Sequence, residues 1–230
     1  MIVRGRRCYV NTLYVGVIGD IVNSRKLGNN RSEVQVKMED ILTKINVKYS
    51  NFVVSKFLIT LGDEFQGLLL PSTPIYDVIC EIVDQIHPIQ LRFGLGFGPL
   101  NTSIKEKALG MDGPVFYSSR EAIRTASNRP GHAIAFKSSV MDEFDIIKVD
   151  ALFQSLSVIR KLWTDKFIKV LPLLREGLTQ KEIALKIGIR QPSVSKLLNN
   201  ACWCEVLELQ EKTSVVLKKT FQKYQNQQVE

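Results

Sequence analysis

Two carboxylates in this chain stand where a phosphate-bound metal would need them. Asp20 closes the apolar run from Leu13 to Gly19, and Asp63 sits in a Gly62-Asp63 turn between two further apolar runs. Either alone is ordinary turn chemistry, since Asp is common after strands and Gly-Asp suits a hairpin. Held side by side, their oxygens suit Mg²⁺, which takes one or two carboxylates plus substrate phosphates. Backbone N–H groups of Ile21, Val22, Asn23 and Ser24, followed by Arg25, would then meet phosphate oxygens.

A second set of polar residues points to a different partner. Residues 180–199, QKEIALKIGIRQPSVSKLLN, read as a helix-turn-helix. A first helix runs through Glu182 to Ile187, Gly188 permits the left-handed turn, and a second helix starts around Gln191-Pro192. Ala184 is small where crossing helices touch, and Ile183, Ile187, Ile189, Val194, Leu197 and Leu198 supply the shared core. Arg190, Gln191, Ser193, Ser195, Lys196 and Asn199 are left at the start and on the face that enters the major groove in this motif. The bland alternative is a hairpin that only packs or dimerises.

Other chemistry is poorly supported. Cys8, Cys80, Cys202 and Cys204 show no disulfide rhythm, and Cys202 and Cys204 have one spacer where zinc pairs usually have two to four. His132 lacks a neighbouring nucleophile and reads as a surface or packing residue. Asp112 reads as a helix N-cap. No apolar run approaches the roughly 20 residues of a membrane helix. The short apolar stretch behind the basic opening reads as a strand rather than a signal peptide. These features predict a cytoplasmic protein.

The elements that must position these residues follow from periodicity. Strands are expected over residues 13–19, 52–61, 64–70, 91–97 and 131–136, with a further short one over 146–149. Helical spacing of apolar residues spans 31–49 and 74–86, with Pro88 as a stop, and a further helix covers 113–126. The resulting β-α-β-β-α-β order folds most simply as a ferredoxin-like sheet with helices on one face. In that topology the end of the first strand lies beside the start of the third, which brings Asp20 to Asp63. Gly94, Gly96 and Gly98 alternate on one strand, as a close approach of a ligand or helix requires.

The rest of the chain reads as helical. Helices are expected over 152–162, over 165–176 with Thr164 as N-cap and Pro172 kinking or shortening it, and over 203–222. Residues 224–230 read as a frayed tail. Residues 151–230 carry thirteen Lys+Arg against seven Asp+Glu, while residues 1–150 carry eighteen against sixteen. The basic excess therefore accompanies the helix-turn-helix, as a footprint for phosphate would. Two domains are expected: 1–150, an α+β sheet domain, and 151–230, an all-α helix-turn-helix domain. The last helix is longer than a small core needs, so its apolar face suits packing on the first domain or pairing into a homodimer.

The segments Gly19 to Val22 and Leu61 to Phe65 resemble the two metal motifs of class III nucleotide cyclases and the related diguanylate cyclase (GGDEF) palm. Residues 91–99, LRFGLGFGP, are similar to the cyclase strand that follows them. Residues 113–120, GPVFYSSR, resemble the cyclase helix whose Arg stabilises the reacting phosphates, which makes Arg120 the candidate catalytic and nucleotide-binding residue. A palm of this type joined to a helix-turn-helix in one short chain most resembles the SatD family of Gram-positive bacteria. The chain departs from the cyclase pattern at Phe116, where the helix carries Asn, and at Ile59, where adenine-selective cyclases carry Lys. Leu61 replaces the first Gly of GGDEF. The retained carboxylates and Arg120 favour nucleotide and Mg²⁺ binding, whereas the departures argue against an ordinary adenylate cyclase.

Three functions fit this reading. One is a regulator whose palm binds a purine nucleotide with Mg²⁺ and whose helix-turn-helix binds DNA. Another is a nucleotidyl cyclase or oligonucleotide-synthesising enzyme regulated by its helices, with two-metal activation of a 3′-hydroxyl. The last is a ligand-free palm serving as scaffold in a dimeric DNA-binding protein.

Overall fold

The computed structural model describes residues 12–227. The basic opening with Cys8 and the last three residues lie outside the described residues. Five strands form one mixed sheet: β1 (Leu13–Ile21), β2 (Val53–Leu61), β3 (Glu64–Leu69), β4 (Leu91–Pro99) and β5 (Ala133–Ser138). Their order is β2-β3-β1-β4-β5. β1 runs antiparallel to both β3 and β4, and β5 runs parallel to β4. The first four strands reproduce the expected ferredoxin-like order, and β5 extends it by one strand.

Helix α1 (Arg31–Lys48) joins β1 to β2 after a 3-10 turn, and α2 (Ile75–Ile86) joins β3 to β4. Alternation along β1 sends Leu13, Val15, Val17 and Ile21 to one face of the sheet. There they share a core with Met38, Ile41 and Ile45 of α1 and Val78, Ile79 and Ile82 of α2.

The two helices of the β-α-β-β-α-β series thus share one face, as expected, and the helix that follows the series takes the other. Helix α3 (Pro114–Ser127) lies on the other face, against β1, β4 and β5. Missing side chains make this possible. A Cβ on Gly96 would lie 2.2 Å from the Val115 carbonyl oxygen, and one on Gly94 would lie 2.3 Å from that of Ser119. The alternating glycines of β4 therefore admit a helix backbone.

Residues 146–149 are not a strand. They belong to α4 (Glu143–Lys161), a single helix that also takes in the expected 152–162 segment. The Asp142 side chain caps it by accepting from the Asp145 N–H, and Val149, Phe153 and Leu156 then fall on one buried face. The expected helix over 165–176 is divided into α5 (Asp165–Ile168) and α6 (Leu171–Arg175). Pro172 has no N–H to continue a ladder from the preceding turn, and it stands in the first turn of α6 instead. Thr164 caps α5 as expected.

Three helices complete the chain: α7 (Gln180–Ile187), α8 (Gln191–Asn200) and α9 (Trp203–Gln227). A second core gathers Trp163, Phe167 and Leu171 with Ile183, Val194 and Trp203. Helices α4 and α9 serve both cores. Phe153 and Leu156 of α4 and Leu217 and Phe221 of α9 belong to the sheet core, while Trp203 and Val206 belong to the second. Phe221 stacks on Phe97 with ring centroids 4.7 Å apart. Full burial of such a ring is worth roughly 1.5–3 kcal/mol.

The chain from Tyr224 to Gln227 is not a frayed tail, because α9 runs through it. The Tyr224 hydroxyl donates to Asp142 and accepts from the Asp142 N–H at 3.0 Å. Lys223 Nζ reaches Asp145 Oδ2 at 2.9 Å. This clasp fastens the end of α9 to the start of α4.

Candidate functional site

The antiparallel register places Asp20 of β1 directly opposite Glu64 of β3, one residue from Asp63 in the hairpin turn. Gly62 holds that turn with φ 58°, in the left-handed region glycine tolerates. On its other side Asp20 faces Arg92 of β4, with Nη1 3.9 Å from Oδ2. Burial pushes the Asp20 carboxyl above its ordinary pKa. Arg92 pulls it down, while Asp63 and Glu64 push it up. Asp20 Oδ1 is buried and has no hydrogen-bond partner among the described residues.

That orphaned oxygen, with Asp63 beside it, is the donor set that could hold a divalent cation. No group of three or more His, Cys, Asp or Glu side chains forms a metal-holding cluster among the described residues. Two protein carboxylates with open positions nonetheless match the way Mg²⁺ is held when phosphates complete its shell. Glu64 is engaged locally, accepting from the Thr60 hydroxyl at 3.1 Å.

The backbone after Asp20 differs from the expected row of free donors. Ile21 is still strand, and the Val22 N–H is spent on the Gln90 carbonyl at 2.9 Å. Asn23 takes a left-handed conformation, and Ser24 and Arg25 open the 3-10 turn. Arg120 lies exposed on α3, near Tyr117, and no hydrogen bond or ion pair joins it to Asp20 or Asp63 among the described residues. Arg92 is the basic residue that touches Asp20. Sequence periodicity alone gave it no distinction, because only cross-strand register reveals the pairing.

The α7–α8 hairpin has sharp local causes. Thr179 and Glu182 form a capping box, with the Thr179 N–H donating to Glu182 Oε2 at 2.7 Å. The T-x-x-E spacing was the available signal for this start. Gly188 ends α7 with φ 71°. Ile183, Ala184, Val194 and Leu198 are buried as expected, but Ile187 and Ile189 are not core residues. They flank the Gly188 turn, which carries both out to partial exposure. Arg190, Ser193, Lys196 and Asn199 are exposed, and Gln191 and Ser195 are half-buried. Gln191 Nε2 donates to Gln180 Oε1 at 2.7 Å, tying the starts of the two helices together.

The remaining candidates resolve simply. His132 is buried, with Nδ1 2.6 Å from the Leu91 carbonyl oxygen and its ring edge-on to Phe93. Burial holds its pKa down at about 3, so it stays neutral. Asp112 does not cap α3, whose N-cap is Gly113; it accepts from the Tyr117 hydroxyl at 2.5 Å. Cys202 and Cys204 are exposed free thiols on either side of the buried Trp203. Among the described residues, no helix is long and apolar enough to cross a membrane.

Among curated proteins, none matches the chain. Two solved structures of a bacterial light-regulated adenylyl cyclase are similar to part of it. One is 16% identical with a TM-score of 0.41, covering 53% of this chain and 74% of that one. The other is 14% identical with a TM-score of 0.40, covering 53% of this chain and 42% of that one. The SatD family model matches residues 14–219, a span that contains both the carboxylate edge of the sheet and the α7–α8 hairpin; the chain belongs to the SatD family.

Proposed function

We propose that this protein is a regulator that binds a purine nucleotide with Mg²⁺ at Asp20 and Asp63 and binds DNA through α8. The observation that carries the nucleotide half is the buried, unpartnered Asp20 Oδ1 in acidic surroundings. A buried oxygen left without a partner costs free energy, which a cation would recover. The metal would supply charge neutralisation for the phosphates. Asp20 and Asp63 would hold it, Arg92 would fix the Asp20 carboxylate, and Arg25 and Arg120 would reach phosphate from outside the sheet.

The DNA half rests on the shape and chemistry of α7 and α8, a helix-turn-helix in this reading. Arg190 and Lys196 would neutralise phosphate, while Ser193, Ser195 and Asn199 would line the groove. Gln180 accepts one N–H of the Gln191 amide. The Oε1 and second N–H of Gln191 are not used by that bond and would be available to an adenine edge, which takes a bidentate amide.

A thermal-shift panel of nucleoside triphosphates with and without Mg²⁺, on wild type and Asp63→Asn, tests the first half. Binding stabilises the native state by about 2.7 kcal/mol at a hundredfold excess over Kd. A metal-dependent shift that vanishes in the variant is expected; a flat panel refutes the nucleotide site. Selected operator DNA then tests the second half. Lys196→Ala should weaken binding across sequences and lower the salt slope by about one, and Gln191→Ala should relax preference at one base pair by roughly 1–3 kcal/mol. DNA affinity unmoved by saturating nucleotide would exclude coupling between the halves.

A further inference from the structure

Helix α4 buries one side against the sheet and leaves a second apolar side uncovered. Phe144, Ile147, Val158 and Leu162 are 75%, 59%, 49% and 77% exposed, and Ala151 is exposed between them. Spacings of three, four, seven and four residues keep all five on one stripe. On a helix of 3.6 residues per turn these five share one narrow face, flanked along one side by Glu143, Gln154 and Lys161. A run of large apolar side chains of this kind marks an interaction surface.

We infer that this stripe pairs α4 with α4 of a second copy of the chain, antiparallel about a two-fold axis near residues 152 and 153. Charge sets the direction. Glu143 stands exposed at the start of the seam and Lys161 exposed at its end, and neither has an ion-pair partner among the described residues. Over a nineteen-residue helix the two lie about 27 Å apart, too far to meet within one copy. An antiparallel pair brings Glu143 of each copy to Lys161 of the other, twice. A parallel pair would leave each Glu143 about 27 Å from the Lys161 of the other copy.

Shape agrees with charge. An apolar groove of about 270 Å³ adjoins Leu162, lined by Ile159, Trp163, Ala201, Val206 and Leu209. The antiparallel register carries Phe144 of the other copy to this end of the seam. The groove is a hole of the right character for that ring. Ile147 of each copy then packs on Val158 of the other. This pairing is isologous, as closed dimers require, and it stands independently of the nucleotide and DNA reading.

Sedimentation of the full-length chain over a concentration series tests the pairing. Wild type should form a reversible dimer. Ile147→Asp with Val158→Asp should be monomeric at every concentration while keeping the wild-type circular dichroism and Tm, since both positions face solvent in the single chain. Glu143→Lys alone, and Lys161→Glu alone, should each weaken self-association about tenfold, because two exposed pairs turn repulsive. The combined exchange should restore it. A wild-type monomer throughout would overturn the proposal, as would a dimer indifferent to the double Asp variant. A monomer destabilised by deletion of residues 1–11 would assign the stripe to that segment instead. Failure of the charge exchange to rescue would overturn the antiparallel arrangement.

Discussion

Asp84→Asn is the substitution that most directly tests how the two cores are joined. Asp84 lies on α2 of the sheet layer, yet its carboxylate meets Arg160 of α4 and, at 2.9 Å, Arg175 of α6. Its side chain is 5% exposed and that of Arg160 is 6% exposed, while Arg175 keeps 30%. The amide preserves volume and one acceptor but removes the charge between two cations. Breaking a buried pair by removing one partner costs about 3–5 kcal/mol, because the other charge stays buried. The Arg175 half is partly solvated and adds at most about 1 kcal/mol. The retained acceptor places the total near the low end, at about 3 kcal/mol, or a Tm lowered by roughly 6–12 °C for a chain of this size. Urea unfolding followed by circular dichroism reads the change directly. Asp84→Leu with Arg160→Met should fall far less than the single substitution, since apolar replacement of a whole buried pair is near neutral. The pair would lose about 1 kcal/mol more through the cation–π contact of Arg160, 4.9 Å over the Trp163 ring. A loss below about 1 kcal/mol for Asp84→Asn would refute the claim that this ion pair fastens the sheet layer to the helices.

Three further substitutions probe separate links. Asp20→Asn should raise Tm at neutral pH while abolishing any Mg²⁺-dependent shift. Burial, Asp63 and Glu64 raise the folded-state pKa of Asp20. Its contribution is thus fullest below the unfolded pKa and is lost as pH rises through the folded one, so wild type and variant should converge on acidification. Gly96→Ala should destabilise by about 3 kcal/mol in urea unfolding, because the added carbon falls on the α3 backbone rather than on a movable side chain. Tyr224→Phe keeps the ring but removes the hydroxyl shared by Asp142 and Asp145. It should cost about 1.5–3 kcal/mol, and faster amide exchange in the last turns of α9 would report the loosened clasp.

What the sequence disclosed depended on the range of the interaction responsible. Helices α1 and α2 were legible because their apolar spacing is local, and so were the Gly188 turn and the Thr164 cap. The approach of Asp20 to Asp63 was legible because a β-α-β-β-α-β order admits few sheets. By contrast, residues 146–149 read as a strand because four apolar-rich residues carry no period, and the Asp142 cap that decides for helix lies upstream. Arg92 was invisible because its role comes from register across β1 and β4. Tyr224 was invisible because Asp142 lies 82 residues away. Ile187 and Ile189 misled because apolar character says nothing of the direction in which a left-handed turn sends a side chain.

The same distinction bears on coupling. The α7–α8 hairpin is set by local pattern and the carboxylate edge by strand order and register, and what lies between them is also long-range. Arg92, which meets Asp20, is followed in the sheet register by Leu91 opposite Ile21, and the Leu91 carbonyl is held by His132. His132 and Arg160 line one cavity of about 200 Å³ with Trp163, a residue of the second core. These neighbouring residues bridge the sheet edge and the second core, but proximity alone transmits nothing. A ligand shifts an equilibrium only by its difference in affinity for two arrangements. The cores share α4 and α9, so any second arrangement must move those helices and strain the Asp84 and Tyr224 contacts that hold them. If a nucleotide changes DNA affinity, Asp84→Asn should alter the size of that change without touching either ligand. An effect of nucleotide on DNA binding that is identical in the variant would show that α4 is a rigid bracket and that any signal runs elsewhere.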